Sequence, residues 1–400
     1  MTLKNKCDIS FIYTDKFMDY DFGSHHPLDP IRLKFTYELM KSYNLLDLQN
    51  IKVIEPRIAD QEELELVHER PYINIVKKVS NPEVNIRSVP EVNLGPGDNP
   101  IFPRMYEASS LVAGASITAA KEVLEGKSDH AFNISGGLHH AMPDHASGFC
   151  IFNDPAITIK YIREKYDYKV CYIDIDAHHG DGVQWIFYDN PNVLTFSSHQ
   201  YGFFYPGTGD SNEIGEKDGR GYAINLPLMR GSFNDEDTHT YNWAFNEIIP
   251  PLLKVFNPDI IVMQCGVDTH YTDPLPSLLF TTKTYAQIIT IVHELAHEFC
   301  DGRWIALGGG GYSPFVVARS WTIFLAEMAG IKLDNTIPQE WIDKCNEMRT
   351  KYGAPKSNTL YDEYNPTKNL SDAQRKEIIE NYEKKVKYIK DNVFPIHNIE

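Results

Sequence analysis

The 400-residue sequence predicts an α/β protein with a parallel β-sheet covered by helices on both faces. Short runs rich in Val, Ile, Phe and Tyr alternate with longer helix-like stretches, the order that gives parallel strands joined by crossover helices. Most of these runs are continuously apolar, which is typical of strands buried on both sides. No linker-like segment interrupts the chain, so we predict one large domain.

The predicted elements follow one another in a regular order. The clearest strands are predicted at residues 131–135, 170–174, 193–197, 260–265 and 304–307. The helices are predicted at residues 107–124, 155–165, 240–256, 284–299 and 314–328. Two Gly- and Pro-rich segments, residues 90–103 and 202–221, are predicted as long loops, and loops of this length usually carry function.

The chain becomes more charged, and is punctuated by proline, from Asp334 onward. We predict that residues 1–330 form the catalytic body and that residues 331–400 form a helical extension packed on the same domain. The last helix is predicted to begin near Ser371 and to pack on the body through one apolar stripe; partner binding is the alternative. The stripe consists of Ile379, Tyr382, Val386 and Ile389.

The composition limits the classes of function. The chain has 55 acidic and 38 basic residues and a net charge of −17, which argues against nucleic-acid binding because that function needs a basic surface. The charge suits a basic substrate, such as a lysine-bearing protein tail or a polyamine, but it also serves solubility alone. The six cysteines form no C-x-x-C pair, and we find neither a signal peptide nor a membrane-spanning stretch. We therefore expect a cytoplasmic protein with no membrane or nucleic-acid partner.

The segment from Tyr172 to Gly182 follows a predicted strand and carries the densest chemistry in the chain. Its ionisable residues are Asp174, Asp176, His178, His179 and Asp181. Burying so many of them is costly unless they bind a metal or pair with each other. Alternate residues of an extended segment point the same way, so Asp174, Asp176 and His178 share one side. Carboxylates and imidazoles suit a cation such as zinc; a polar strand end with ordinary caps is the alternative.

Asp268 ends another apolar run and could supply a third metal ligand. Three protein ligands with one open position are the pattern of catalytic zinc. Taken alone, this aspartate is equally well interpreted as the cap of the following turn.

Two further clusters also follow apolar runs. The adjacent His139 and His140 lie on a Gly-rich turn, and the carboxylates of Asp174 and Asp181 could each orient one imidazole. Taken alone, such a pair is more often structural or incidental. Tyr312 follows four glycines, and its phenol could donate a hydrogen bond to a developing oxyanion; core packing is the alternative. All of these clusters follow strands, and the carboxyl ends of parallel strands form the ligand-binding edge of such a sheet.

Taken in order, these motifs resemble the histone deacetylase superfamily from about residue 11 to about residue 325. The motifs are Gly136-Gly-Leu-His-His140, Gly148-Phe149, the Asp174–Gly182 segment, Pro206-Gly-Thr-Gly209, Asp268 and Gly308-Gly-Gly-Gly-Tyr312. The sequence is most similar to prokaryotic acetoin-utilisation deacetylases, through Tyr20-Asp-Phe-Gly23, His26-Pro27, Gly97-Asp-Asn-Pro100, Asn153-Asp-Pro-Ala-Ile157 and Val183-Gln-Trp185. The resemblance implies the arginase/deacetylase fold, with a central parallel sheet of about eight strands.

The resemblance implies a metal site with one Zn²⁺ per chain. Its ligands would be Asp176, His178 and Asp268. Members of the superfamily often hold a potassium ion near the same loop as well. The residues that match its site are Asp174, Asp176, His178, Ser197 and Ser198.

The resemblance also implies the catalytic roles. His140, with Asp181 behind it, would be the general base and then the acid. His139, backed by Asp174, would be a second imidazole that acts electrostatically or donates a proton. Tyr312 would polarise the acyl carbonyl.

Substrate contacts are implied in the same way. Gly148 and Phe149 would form one wall of a narrow acyl-lysine tunnel, and Asp98 would anchor the substrate backbone. Tyr205 stands where the superfamily usually has a phenylalanine on the opposite wall, so we expect the added hydroxyl to bear on which acyl chain or amine is admitted. Arg32 would lie near an internal acetate channel.

The function that this resemblance implies is zinc-dependent hydrolysis of N-ε-acetyl-lysine, with release of acetate. The substrate would be an acetylated protein or a small acetylated amine, and the oligomeric state is left open. One rival function is acetylpolyamine hydrolysis. Another is a two-manganese ureohydrolase, which needs aspartates where this chain has Gly180 and His270. The third is a non-catalytic acyl-lysine-binding module, but each expected catalytic position is filled.

Overall fold

A computed structural model describes residues 7–400. Its centre is an eight-stranded sheet in the order β2-β1-β3-β8-β7-β4-β5-β6, and all neighbouring strands are parallel. The strands are β1 (Ile9–Ile12), β2 (Ile51–Ile54), β3 (His130–Asn133), β4 (Val170–Asp174), β5 (Val193–Gln200), β6 (Ala223–Leu228), β7 (Ile260–Gln264) and β8 (Trp304–Leu307). The predicted fold class is confirmed.

The α-helices connect and cover the strands. They are α1 (Ile31–Ser42), α2 (Gln61–Leu64), α3 (Arg70–Ser80), α4 (Met105–Leu124), α5 (Asp154–Tyr166), α6 (Asp181–Ile186), α7 (Tyr241–Phe256), α8 (Thr282–Phe299), α9 (Pro314–Met328), α10 (Gln339–Glu347) and α11 (Asp372–Asn392). Helices α3, α4 and α5 pack together, and α1, α7, α8 and α9 form a second packed group. Among residues 7–400, no helix combines the length and apolar character needed to cross a bilayer.

All five predicted strands and all five predicted helices are present, with ends shifted by a few residues at most. Three strands lie outside the predicted set: β1, β2 and β6. Two of them, β2 and β6, are the edges of the sheet, and β6 contains Pro227. An edge strand tolerates proline and polar residues because only one side of its backbone is paired.

The C-terminal segment packs on the rest of the chain through α10 and α11. Helix α10 contacts α1, and the indole nitrogen of Trp341 donates a hydrogen bond to the Phe35 carbonyl at 2.9 Å. Helix α11 contacts α7 and β6. Its buried residues are Ile378, Tyr382, Val386 and Ile389.

The predicted stripe of α11 is wrong at one position, because Ile378 is buried and Ile379 is only half-buried. A spacing of four residues suits a helix that lies flat on its neighbour, and Ile378 and Tyr382 have that spacing. The division of the chain at residue 330 stays a prediction, since Trp341 and Tyr382 belong to the same hydrophobic core as the sheet.

Candidate functional site

The chemistry-bearing residues lie together at the carboxyl edge of the sheet. Strands β3, β8, β7 and β4 are neighbours in that order, and each is followed by one of the predicted clusters. His139 and His140 follow β3, Tyr312 follows β8, Asp268 follows β7, and Asp176 follows β4. The parallel register therefore brings together groups that are up to about 170 residues apart in the sequence, as expected for an α/β sheet.

Asp176, His178 and Asp268 converge on one point. One ligand atom from each side chain lies within 4.8 Å of the others. Nδ1 of His178 is 3.1 Å from Oδ1 of Asp176 and 2.9 Å from Oδ2 of Asp268. All three residues are buried. Two carboxylates and one imidazole are a ligand set that suits zinc and similar divalent cations.

The charge of this cluster also fits a divalent cation. Burial disfavours a charged His178, but hydrogen bonds to Asp176 and Asp268 outweigh it and raise the imidazole pKa to about 10. Burial and the neighbouring Asp176 raise the pKa of Asp268 to about 6. Both raised pKa values indicate that a positive charge between the two carboxylates is favourable. A divalent cation bound there would neutralise both carboxylates, which one proton cannot do.

The carboxylates of Asp176 and Asp268 are also fixed by hydrogen bonds from elsewhere in the site. Oδ2 of Asp176 accepts from the side-chain amide of Gln264 and from the backbone N–H of Gly310, both at 2.7 Å. Oδ1 of Asp268 accepts from the backbone N–H of Ala177 at 2.7 Å. Such contacts orient ligands before a metal arrives. The role of Gln264 was not predicted, because a single amide at the end of an apolar strand gives no sequence signal.

The two adjacent imidazoles each face a carboxylate of their own. Nδ1 of His139 is 2.7 Å from Oδ2 of Asp174, and Nδ1 of His140 is 2.6 Å from Oδ1 of Asp181. The Tyr172 hydroxyl also donates a hydrogen bond to Oδ2 of Asp174, at 2.7 Å. Each carboxylate holds a proton on the Nδ1 that faces it, so Nε2 is the nitrogen of each ring that is left for chemistry.

The same environment separates the pKa values of the two histidines. Burial disfavours a charged His139, but Asp174 and Asp176 outweigh it and raise the pKa to about 9. Burial and the neighbouring His139 lower the pKa of His140 to about 4. Near neutral pH, His139 is therefore a cation and His140 a neutral imidazole able to accept a proton. Neighbouring groups whose pKa values are pushed apart in this way can divide acid and base work between them.

The glycine run after β8 places Tyr312 beside the metal cluster. The guanidinium of Arg32 donates hydrogen bonds to the carbonyls of Gly309 at 2.7 Å and Gly311 at 3.1 Å. The backbone N–H of Tyr312 donates to Oδ2 of Asp273 at 2.8 Å. Burial, together with Asp268, raises the pKa of the Tyr312 phenol well above its usual value, so the phenol remains a proton donor.

Aromatic rings surround the approach to the histidines. The Tyr205 ring lies edge to face with His140 at a centroid distance of 5.1 Å, and the Phe149 ring lies edge to face with Tyr312 at 5.8 Å. The Phe204 ring stacks on His178 at 4.7 Å. Phe204 was missed in the sequence because it resembles an ordinary loop aromatic.

The wall formed by Gly148 and Phe149 has an unusual backbone. Both residues have positive φ angles, 50° and 68°, which is rare for a phenylalanine. Asn99 and Tyr20 hold this turn, since the Asn99 side chain accepts from the Phe149 N–H at 3.0 Å and Tyr20 donates to the Phe149 carbonyl at 2.8 Å. A side chain at position 148 would collide with the His140 ring, so this position needs glycine. Strain held by such contacts is common at functional sites.

The remaining predicted site residues lie further out. Asp98 is exposed on its loop, and its carbonyl is 3.2 Å from Nε2 of His26. Ser198 lies beside the ligand loop, since its hydroxyl is 3.4 Å from the Asp174 carbonyl. The hydroxyl of Ser197 accepts from the Gly180 N–H at 3.3 Å. The structure thus places both serines beside the loop that carries Asp176 and His178, whereas Asp98 lies on the surface.

His270, two residues after Asp268, makes contacts that point away from the candidate metal site. Its Nε2 is 2.8 Å from Oδ2 of Asp362, and its Nδ1 is 2.9 Å from the Thr272 hydroxyl. Both ring nitrogens are therefore occupied away from the metal cluster. The contact joins the Asp268 loop to the C-terminal segment.

A sequence profile of the histone deacetylase domain matches residues 26–328. The chain belongs to the histone deacetylase family. It is 44% identical over 339 residues to the acetoin utilization protein AcuC of Bacillus subtilis (strain 168), covering 84% of this chain and 86% of that protein. It is 39% identical over 338 residues to AcuC of Staphylococcus aureus (strain MRSA252), covering 84% and 85%.

Solved structures of this family share the fold. A crystal structure of a histone deacetylase homologue from Aquifex aeolicus superposes with a TM-score of 0.83 at 32% identity, over 95% of this chain and all of that one. The structure of a histone deacetylase homologue complexed with SAHA gives 0.82 at 31% identity, with the same coverage. The protein is therefore an AcuC-like histone deacetylase, a hydrolase that acts on acetylated amides, with the arginase/deacetylase fold.

Proposed function

We propose that this histone deacetylase uses one Zn²⁺ to hydrolyse the amide of N-ε-acetyl-lysine in proteins, releasing acetate and free lysine. The observation that carries the proposal is the convergence of Asp176, His178 and Asp268 beside two histidines that each have a carboxylate of their own. This arrangement supplies a metal site, a base and a cation within one buried cluster.

The metal would be held by Asp176, His178 and Asp268. Three protein ligands are the number typical of catalytic zinc, where a further position serves substrate or water. When bound, Zn²⁺ polarises an acyl carbonyl and lowers the pKa of water. The contacts of Gln264 and Gly310 with Asp176 would keep that ligand in place.

His140 is the proposed general base. Its low pKa keeps the imidazole neutral near pH 7, and Asp181 holds the Nδ1 proton, so Nε2 is free to take the proton of the attacking water. Asp181 would then stabilise the imidazolium that forms. The protonated ring can return its proton to the departing amine.

Tyr312 and His139 are the proposed stabilisers of developing charge. The Tyr312 phenol remains protonated and would donate a hydrogen bond to the oxyanion that forms from the acyl carbonyl. His139 stays cationic beside His140, with ring centroids 4.0 Å apart. Its charge would favour the negative transition state, and its Nε2 proton is a second source for the leaving amine.

The proposed substrate passage runs between Phe149 and Tyr205. An unbranched lysine side chain suits a narrow aromatic passage, which excludes bulkier groups. Ser147 holds the Tyr205 hydroxyl at 2.6 Å, so this hydroxyl is fixed by the protein. The exposed carboxylate of Asp98 would accept hydrogen bonds from a peptide backbone at the rim.

Two features of the site support further parts of the proposal. Arg32 and Leu138 line a small cavity beside His140 and a second one that reaches Phe17, as an internal acetate channel requires. For potassium, the proposed ligands are groups of Asp174, Asp176, His178, Ser197 and Ser198. The nearness of the Ser198 hydroxyl to the Asp174 carbonyl supports that site.

The test is acetate release by protein loaded with one defined metal. Metal-free protein would be reconstituted with Zn²⁺, Fe²⁺ or Mn²⁺ and assayed on an acetyl-lysine peptide and on N-acetylspermidine. We expect one equivalent of Zn²⁺ at the active site to restore turnover of the peptide. Higher kcat/KM on acetylspermidine would favour the polyamine alternative. Peptide binding without acetate release by the zinc-loaded protein would instead favour a binding module.

The ureohydrolase alternative is disfavoured by the surroundings of the cluster. A second manganese would need carboxylates where this chain has Gly180 and His270. His270 instead contacts Asp362 and Thr272. Two manganese ions bound at the active site, together with urea release from a guanidino substrate, would contradict this reasoning.

A further inference from the structure

A second group of side chains that could bind a metal lies at the amino-terminal ends of the strands, on the side of the sheet opposite to the active site. Cys7 precedes β1, His130 is the first residue of β3, and His293 and His297 lie one turn apart on α8. This is the amino-terminal edge of the strands, whereas the active site lies beyond their carboxyl ends. Nothing in the deacetylase chemistry uses these four residues.

The ligand atoms of the four residues face one another. Nε2 of His293 is 3.1 Å from Nε2 of His130 and 3.1 Å from Nε2 of His297. Sγ of Cys7 is 3.6 Å from Nε2 of His293 and 3.3 Å from Nε2 of His297. All four atoms lie within 4.8 Å of one another.

Most of these separations are those expected of a tetrahedral metal site. Zinc bonds of about 2.05 Å to nitrogen and about 2.3 Å to sulfur place two nitrogens about 3.3 Å apart, and a nitrogen and a sulfur about 3.6 Å apart. Four of the six separations, namely those from His293 to the other three residues and from Cys7 to His297, lie within about 0.3 Å of these values, and the other two are at most 4.8 Å. Four protein ligands would leave no open position, which is the structural rather than the catalytic type of zinc site.

The protonation of His293 favours a metal over a hydrogen-bonded cluster. Its Nδ1 is 3.1 Å from the backbone carbonyl of Glu327, so Nδ1 carries the proton and Nε2 carries a lone pair. That lone pair can accept one hydrogen bond, yet Cys7, His130 and His297 all approach it. A cation between the four groups would satisfy all of them.

The surroundings allow both tight binding and entry. Cys7, His130 and His293 are buried, while His297 is exposed and gives access from solvent. Zinc binds cysteine as the thiolate, so binding must displace the thiol proton of Cys7.

We propose that Cys7, His130, His293 and His297 form a second, structural metal site, which takes one Zn²⁺ per chain. Cys7 and His293 are 286 residues apart in the sequence, and His130 lies on a third segment. The bound ion would therefore tie the start of β1 to β3 and to the end of α8.

The experiment uses Co²⁺ as a probe on the full-length, metal-free protein. Cobalt bound to a thiolate gives an intense charge-transfer band, and the active-site ligands Asp176, His178 and Asp268 contain no sulfur. We expect two Co²⁺ per chain and this band in the wild type. Cys7→Ser should lose the band and bind one Co²⁺, whereas Cys345→Ser, which changes another buried cysteine, should keep both.

Two further variants keep the test decisive. His297→Ala changes an exposed helix residue that should not prevent folding, and we expect it to weaken Co²⁺ binding at this site by more than about tenfold, since loss of an outer contact alone costs that much. Asp176→Asn, which changes a proposed active-site ligand, should keep the thiolate band. Loss of metal from the active site is thereby distinguished from loss of metal from the second site. The proposal is overturned if the wild type shows no thiolate band, or if Cys7→Ser retains it.

Discussion

Asp362 offers a sharp test of how the C-terminal segment supports the active site. Its Oδ1 accepts from the Arg319 guanidinium at 2.9 Å, and its Oδ2 accepts from the Thr282 N–H at 2.8 Å. Oδ2 also lies 2.8 Å from His270, two residues after the proposed ligand Asp268. We predict that Asp362→Asn loosens the loop that carries this ligand.

The size of the effect follows from burial. Arg319 and Asp362 are only 5% and 7% exposed, so the substitution leaves a buried guanidinium without its counter-ion. Removing one partner of a buried ion pair costs about 3–5 kcal/mol. Divided by the unfolding entropy expected for a 400-residue chain, this loss in free energy corresponds to a fall of about 4–6 °C in Tm.

The effect should also depend on pH. Burial opposes ionisation of Asp362, but the hydrogen bond and charge of His270, together with the charge of Arg319, hold its pKa well below the usual value. A carboxyl with a lowered pKa stabilises the fold above its unfolded pKa of about 3.9, and this stability is lost as pH falls through the folded pKa. The difference between wild type and variant should therefore be full at pH 7 and shrink below about pH 4.

Urea unfolding, followed by tryptophan fluorescence at pH 7 and pH 3.5, measures the loss of stability and its pH dependence. Zinc titration of the active site shows whether the loop that carries Asp268 still holds this ligand in place. Glu363→Gln is the matched control, because it removes an exposed carboxylate from the next residue. If Asp362→Asn unfolds at the same urea concentration as Glu363→Gln at pH 7, the anchoring role is refuted.

Three substitutions test the proposed chemistry. Tyr312→Phe should retain zinc but lower kcat by about 10²–10³, as loss of one oxyanion donor does, and wild-type turnover would remove the assigned role. His140→Ala removes the imidazole whose ionisation Asp181 influences, so this ionisation should vanish from the pH–rate profile. A profile that matches the wild type would contradict the role of His140 as base. Tyr205→Phe removes a hydroxyl bonded to Ser147, and because one hydrogen bond contributes about 0.5–1.5 kcal/mol, kcat/KM should change by less than about tenfold; a larger loss would show that the hydroxyl contacts substrate.

The sequence predicted those features that leave a local pattern. Strands β4 and β8 were placed correctly because they are buried on both faces and read as unbroken apolar runs. Asp176 and His178 were recognisable because alternate residues after a strand share one side. Edge strands β2 and β6 carry a weaker pattern, since one side of each backbone is unpaired.

Features made by distant segments left no such pattern. Gln264 lies in an apolar strand and gains its role only because β7 lies beside β4, where its amide reaches Asp176. Cys7 and His293 meet only through the folded sheet, so no spacing rule could connect them. The contact of His270 with Asp362 likewise depends on how the last segment returns to the body.

The two edges of the sheet bear on how the protein avoids self-association. A parallel sheet with open edges can recruit strands from other molecules. At one edge, β6 contains Pro227, which has no N–H to offer, and α11 packs against this strand. At the other edge, β2 presents the exposed charge of Lys52. We predict that removal of α11 would uncover β6 and promote aggregation, although every active-site residue would remain in the chain.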